Sequence, residues 1–278
     1  MEQSKKIPVI TSLISLLVAG SSFAEAPVSD AYSPGESSSK WAIGAGIAAW
    51  DNPYINEADD ETTSADDGEY DGAFIPRVEY RGERFFSDTG ALGFTAFRTG
   101  GLSTGFVLGA SYSYLGDDDN YDDNSRLAGI EERDPTADLG VYLIHNYENG
   151  QLKMTLWQEI SNEHDGQSFD LHYIYNFPIG SRWNITPVVG VVWASQENVN
   201  HFFGVSESES LASDGIDAYK ADSTTSFYGG VSARYEINPH WDIQFGATQV
   251  SYGDEIKDSP LIKDGSTFIT GFGVNYNF

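Results

Sequence analysis

The sequence predicts an all-β fold, a closed antiparallel transmembrane β-barrel of about twelve strands, on three observations. Segments of roughly ten residues alternate apolar with small or polar side chains throughout the chain. The connections between them alternate between tight turns and longer polar loops. The chain also stops on an aromatic residue, Phe278, inside one of those alternating segments.

The bulk numbers agree. No apolar stretch after the N-terminus is long enough for a helical span, so the chain is not a helical membrane protein. Cysteine is absent, so no disulfide holds the fold together. The formal net charge of -27 repels phosphate and argues against a nucleic-acid partner.

Lys5 and Lys6 precede an apolar run over residues 7–20 that ends in Ser22-Phe23-Ala24. This is the plan of a secretory signal peptide, residues 1–24, cut after Ala24 or, as an alternative, after Ala26. Residues 25–39, rich in Ser and Pro, are expected to form a flexible leader. Residues 40–278 are expected to form a single outer-membrane barrel domain.

The first strand is expected over residues 40–50, where Trp41, Ile43, Ala45, Ile47 and Ala49 alternate with Ala42, Gly44, Gly46 and Ala48. Residues 51–71 read as a solvated acidic loop without Lys or Arg. Phe74, Pro76, Val78 and Tyr80 then alternate with Arg77, Glu79 and Arg81, and Gly82-Glu83 turns the chain. Residues 84–98 are ambiguous: Asp88-Thr89-Gly90 reads as a turn, but the piece before it is too short to cross a bilayer. Without a hairpin there the count drops to ten.

Phe106, Leu108 and Ala110 lead into a second acidic loop, residues 117–134. Asn149-Gly150 between two alternating runs is a hairpin signal. Phe169, Leu171, Tyr173, Tyr175 and Phe177 form an aromatic row, turned at Gly180-Ser181 into Ile185, Pro187, Val189, Val191 and Trp193. A third long loop is expected from about 196 to 224. Strands through Phe227 and Val231, and through Trp241 and Phe245, flank Asn238-Pro239. In the closing strand, Phe268, Phe272, Val274, Tyr276 and Phe278 oppose Ile269, Gly271, Gly273, Asn275 and Asn277. Placing Phe278 on the periplasmic side puts the tight turns there and the long acidic loops outside, against lipid and lipopolysaccharide.

Arg77, Glu79, Arg81, Lys153, Glu159, Asp170, Arg234, Glu236 and Asp242 share the inward parity. Both signs are present, so a paired network is expected; a narrow hydrated path with fixed charges is the alternative. His172 is expected to hydrogen-bond Asp170, His145 to lie near the periplasmic rim, and His164, His201 and His240 to be surface residues. The run 117–123 is a solvated acidic stretch lacking the EF-hand Gly and Glu, with divalent ions shared with lipid phosphates as a second reading. No catalytic, cofactor-binding or metal-ligating residue is nominated.

Several segments resemble the MltA-interacting protein (MipA)/OmpV family of outer-membrane proteins. They are Phe203-Gly204-Val205-Ser206 with Glu209-Ser210, Ser213 and Tyr219, and Asp254-Glu255-Ile256 with Asp258-Ser259-Pro260. Gly44-Ala45-Gly46, Pro53-Tyr54 and Thr186-Pro187 with Gly190 and Trp193 are further matches, and Asp214 is an extra residue against the pattern. The resemblance implies a non-enzymatic barrel, with periplasmic murein-cleaving and murein-synthesising enzymes as scaffolded partners. A porin-like channel for small solutes is the alternative.

Overall fold

The computed structural model describes residues 40–55, 70–88, 91–111 and 127–278. The expected signal peptide, the leader and most of the first two acidic loops lie outside the described residues.

The chain is a closed antiparallel barrel. Its first six strands are β1 (Trp41–Asp51), β2 (Tyr70–Arg81), β3 (Phe85–Asp88), β4 (Ala91–Thr99), β5 (Leu102–Ser111) and β6 (Thr136–Asn146). Then come β7 (Gly150–Glu159), β8 (Gln167–Tyr175), β9 (Phe177–Ile179), β10 (Trp183–Ala194), β11 (Thr224–Glu236), β12 (Trp241–Ser251) and β13 (Ser266–Asn277). β13 pairs with β1 from Ala42↔Asn277 to Trp50↔Ile269, which closes the sheet. Closure leaves backbone groups paired within the wall, as a bilayer core requires.

β8 and β9 are one wall strand interrupted at Asn176. Both pair with β10 in a single continuous register, Ile174↔Val188 and Phe177↔Ile185. The wall therefore has twelve strands, and residues 84–98 do form the hairpin that decides between twelve and ten.

Side chains alternate as a barrel demands. Exposed Trp41, Ile43 and Ile47 on β1, Phe106 and Leu108 on β5, and Phe268 and Phe272 on β13 face outward, while the intervening positions face the interior. An apolar exterior over a polar interior inverts the distribution of a water-soluble protein and matches lipid as the outer solvent.

The tight turns fall at one end, with both ends of the barrel sheet. β4 and β5 are joined by Gly100-Gly101, both at positive φ, a turn the sequence reading passed over. The Asn149-Gly150 hairpin stands where expected but differs in form. Neither residue has positive φ, the last pair is Asn146↔Gln151, and the Tyr147 N–H bonds the Gly150 carbonyl at 2.7 Å. Glu148 and Asn149 lie inside that bond and turn the chain without the positive φ of a primed geometry.

The expected third long loop is a correction. Residues 195–223 contain two helices, α1 (Gln196–Phe203) and α2 (Glu207–Ala212), and a third, α3 (Asp254–Lys257), follows β12. Ser195 caps α1 with its side chain, and Ser206 with Glu209 forms a capping box on α2. α1 and its flanks bury Val199, Phe202, Phe203 and Val205 against the wall instead of extending into water.

Candidate functional site

The interior has two storeys. Toward the tight-turn end it is a polar network. On β2 the guanidinium groups of Arg77 and Arg81 both meet the Glu79 carboxylate, Arg81 at 2.7 Å. Arg77 also donates to Gln244 Oε1 at 2.8 Å, tying β2 to β12. Asp242 accepts from Arg234 and from Asn275, each at 2.9 Å, and from Asn277 at 2.8 Å. The network reaches up to the apolar layer, where Asp170 is level with Val192 and Tyr228 with Val250: Asp170 shares a 2.7 Å hydrogen bond with His172 Nδ1 and accepts from the Tyr228 hydroxyl at 3.1 Å. Lys153 stands beside His172 in the strand register. The inward-parity charges thus come together largely as expected, although Glu236 is exposed at the rim. Such pairing offsets the cost of removing charges from water.

Toward the loop end the interior is apolar. Leu127, Phe203, Tyr252, Ile256 and Leu261 pack with the wall residues Trp50, Val192, Val250 and Ile269 in one buried cluster. Four inter-strand connections supply it, Tyr54 coming from the one after β1, and polar contacts lock them together. Ser259 Oγ donates to the Phe203 carbonyl at 2.7 Å. The Tyr219 hydroxyl donates to the Glu255 carbonyl at 2.7 Å, and Val205 and Tyr219 form a β-bridge. The loop before β13 is also joined to the segment that follows β1 through a bridge between Tyr54 and Ile262.

Glu209 is the knot of this layer. Its carboxylate accepts from the Arg133 guanidinium and the Ser206 N–H, each at 2.7 Å, and from the Glu131 N–H at 3.0 Å. Arg133 donates onward to the carbonyls of Gly204 and Glu131. Burial alone would raise the carboxyl, but the hydrogen bonds from Ser206 and Arg133 win and hold it below the ordinary glutamate value. Burial, with Glu255 and Asp258 nearby, pushes the Tyr219 phenol up to about 12, so it stays protonated and donates.

His164 and His201 are a second correction. Both were expected at the surface, yet they are part-buried, with ring centroids 4.8 Å apart and the Phe202 ring 5.7 Å from His164. His164 Nδ1 accepts from the Gly166 N–H at 2.9 Å, which leaves the proton on Nε2, a buried atom with no hydrogen-bond partner among the described residues. Burial and the neighbouring His201 bring His164 down to about 4. His201 is also lowered, mainly by burial, and its Nε2–H donates to the Asp134 carbonyl at 3.3 Å. His145 lies at the periplasmic rim against Tyr147, and His240 is exposed. Among the described residues no three His, Asp or Glu side chains gather as a metal site. The run 117–123 lies outside the described residues.

The two sequence motifs that carried the family resemblance are therefore the two sides of one interlock. Phe203, Val205, Ser206, Glu209 and Tyr219 stand on one side, with Glu255, Ile256 and Ser259 on the other. What sequence reasoning missed is the docking itself, although Ser206 followed by Glu209 is a legible capping box.

The sequence profile of the MltA-interacting protein MipA family matches residues 43–278. The putative outer membrane protein YiaT of Escherichia coli K12 is 29% identical over 240 residues, covering 86% of this chain and 92% of that protein. The MltA-interacting protein of the same strain is 25% identical over 239 residues, covering 86% and 90%. Outer membrane protein OmpV of Vibrio cholerae serotype O1 is 26% identical over 201 residues, covering 72% and 76%. With its lipid-facing apolar wall, its interlocked outer loops and a match spanning nearly the whole barrel, this chain is an outer-membrane β-barrel of the MltA-interacting protein MipA family.

Proposed function

We propose that the mature chain, freed of residues 1–24, is a non-enzymatic barrel whose periplasmic end is a docking platform for murein-processing enzymes. The observation that carries this is the apolar loop layer across the outer mouth, which withdraws that end from transport and leaves the periplasmic rim as the accessible working surface. Trp41, Trp183, Trp241 and Phe278 ring that rim as an aromatic girdle at the membrane interface, which leaves the turns beyond it free for a periplasmic partner. The name of one relative, MltA-interacting protein, points to the same class of partner.

Mild crosslinking of intact envelopes followed by purification of the barrel tests this. Recovery of a murein-cleaving or murein-synthesising enzyme is expected; a barrel that returns alone, while a control envelope complex is captured, overturns the reading.

A narrow solute channel is the second reading, favoured by the small lumen-facing residues Ala42, Gly44, Gly46 and Ala48 on β1, which leave space beside the charged network. Conductance separates the two.

A further inference from the structure

The periplasmic rim is unevenly charged. Strands β1 to β4 reach it in residues 40–42, 80–86 and 95–101, which hold four cations, Lys40, Arg81, Arg84 and Arg98, and one carboxylate, Glu83. Four against one is a surplus of three positive charges, on a chain whose formal net charge is -27. Glu79, further along β2, is already shared by the guanidinium groups of Arg77 and Arg81. Elsewhere on the rim the balance reverses: Arg182 is outnumbered by the exposed Glu148 and Glu236, and Arg234 is paired with Asp242.

The backbone sets the four cations along one arc. The Arg81 N–H bonds the Lys40 carbonyl at 2.8 Å, and the Thr95 N–H bonds the Arg84 carbonyl at 2.7 Å. Arg98 follows on β4, paired with Ser103 of β5. Across the three gaps between four neighbouring strands, the arc is about 15 Å long.

The arc faces the mouth of the barrel and not the lipid. Lys40 has the parity of the lumen-facing Ala42, Arg84 stands opposite the buried Thr95, and Arg98 opposite the buried Ser103. The outward positions beside them are Trp41, Phe85 and Phe97, all exposed aromatics. Lys40, Arg84 and Arg98 are themselves exposed, so their charges border the periplasm.

We propose that this arc is the docking site for an acidic segment of a periplasmic protein, bound in extended form across the ends of β1 to β4. The proposal rests on the platform reading above and names the chemistry by which the partner is held. Alternate side chains of an extended peptide recur about every 7 Å on one side, so carboxylates two residues apart reach successive cations of the arc. Guanidinium groups suit carboxylates because their planar donors bond both oxygens at once. Parity sets lipid headgroups aside, since the lipid side of these strand ends is aromatic.

Titration of the full chain in zwitterionic lipid nanodiscs with fluorescein-labelled decaglutamate, read by anisotropy, tests this, with decaglutamine as the uncharged control. Saturable binding of decaglutamate alone, weakening as salt is raised, is expected. The triple variant Lys40→Gln/Arg84→Gln/Arg98→Gln should bind about tenfold more weakly, three surface pairs each contributing a factor of roughly two to three. Glu83→Gln, which removes the one carboxylate of the arc, should bind more tightly, and Arg182→Gln should bind as the intact chain does. Gel mobility without heating reports that each variant is folded. An intact chain that does not bind decaglutamate, or a triple variant that binds it equally well, overturns the proposal. Retention of the intact barrel on isolated murein sacculi, lost in the triple variant, also overturns it and makes the murein polymer the occupant. The peptide assay needs no enzyme, so its failure is distinct from a failure to recover a murein enzyme by crosslinking.

Discussion

The hydroxyl of Ser259 donates to the carbonyl oxygen of Phe203 at 2.7 Å, across a sequence separation of 56 residues and inside a buried layer. This one bond joins the loop before β13 to the end of α1, so the outer closure is a tertiary structure and not a collection of independent loops. Ser259→Ala leaves the Phe203 carbonyl buried without that donor, at a cost of about 1–3 kcal/mol. Faster proteolysis of the loop layer is expected, with the gel mobility of the unheated, folded barrel unchanged.

Glu209 and Arg133 form the other lock, and both side chains are largely buried. Removing one charge strands its partner, so Glu209→Ala or Arg133→Ala should each destabilise the loop layer by about 3–5 kcal/mol, measured by local hydrogen exchange. The double variant should be much less harmful than the sum of the two; strict additivity would show that the pair is not coupled.

Gly105 on β5 lies against β4, where an added Cβ would sit on the Phe94 backbone carbonyl. Gly105→Ala must push the strands apart beside the register shift between Thr95 and Phe97, costing about 1–3 kcal/mol. Reduced yield of folded barrel is expected, whereas Gly271→Ala, whose added Cβ makes only ordinary contacts, should fold normally.

The His164 and His201 pair makes the outer layer sensitive to acid. His164 is held down at about 4, against about 6.5 for a free imidazole, so the folded layer binds fewer protons than the opened one between these values. Its contribution is complete above about 6.5 and is lost as pH falls toward the folded value. Amide protection factors in residues 161–166 and 196–203, corrected for the intrinsic pH dependence of exchange, should therefore fall on acidification through this interval, and His164→Gln should flatten the dependence.

Much of the barrel was legible because two solvents impose a period of two. Ile47, Phe74, Phe106, Leu156 and Phe272 read directly as outward, and Arg77, Asp170 and Asp242 as inward. The loop layer was less legible because its apolar residues are few and set among polar ones. Val199, Phe202 and Phe203 stand beside Gln196, Glu197, Asn198 and Asn200, and they acquire a partner only when residues 252–265 fold back. His164 and His201 hid for a similar reason: each sits in a polar stretch, and only the hairpin between β7 and β8 brings one against the other. The short β3 was half visible in residues 84–88, yet where it pairs depends on register, which turn signals alone do not determine.

Single-protein conductance in planar bilayers bears most directly on the closed outer mouth. The intact chain is expected to be silent, and a variant with residues 198–221 replaced by a short Gly-Ser link should show discrete steps. Reproducible steps of the same size from the intact chain would contradict a mouth sealed by its loops.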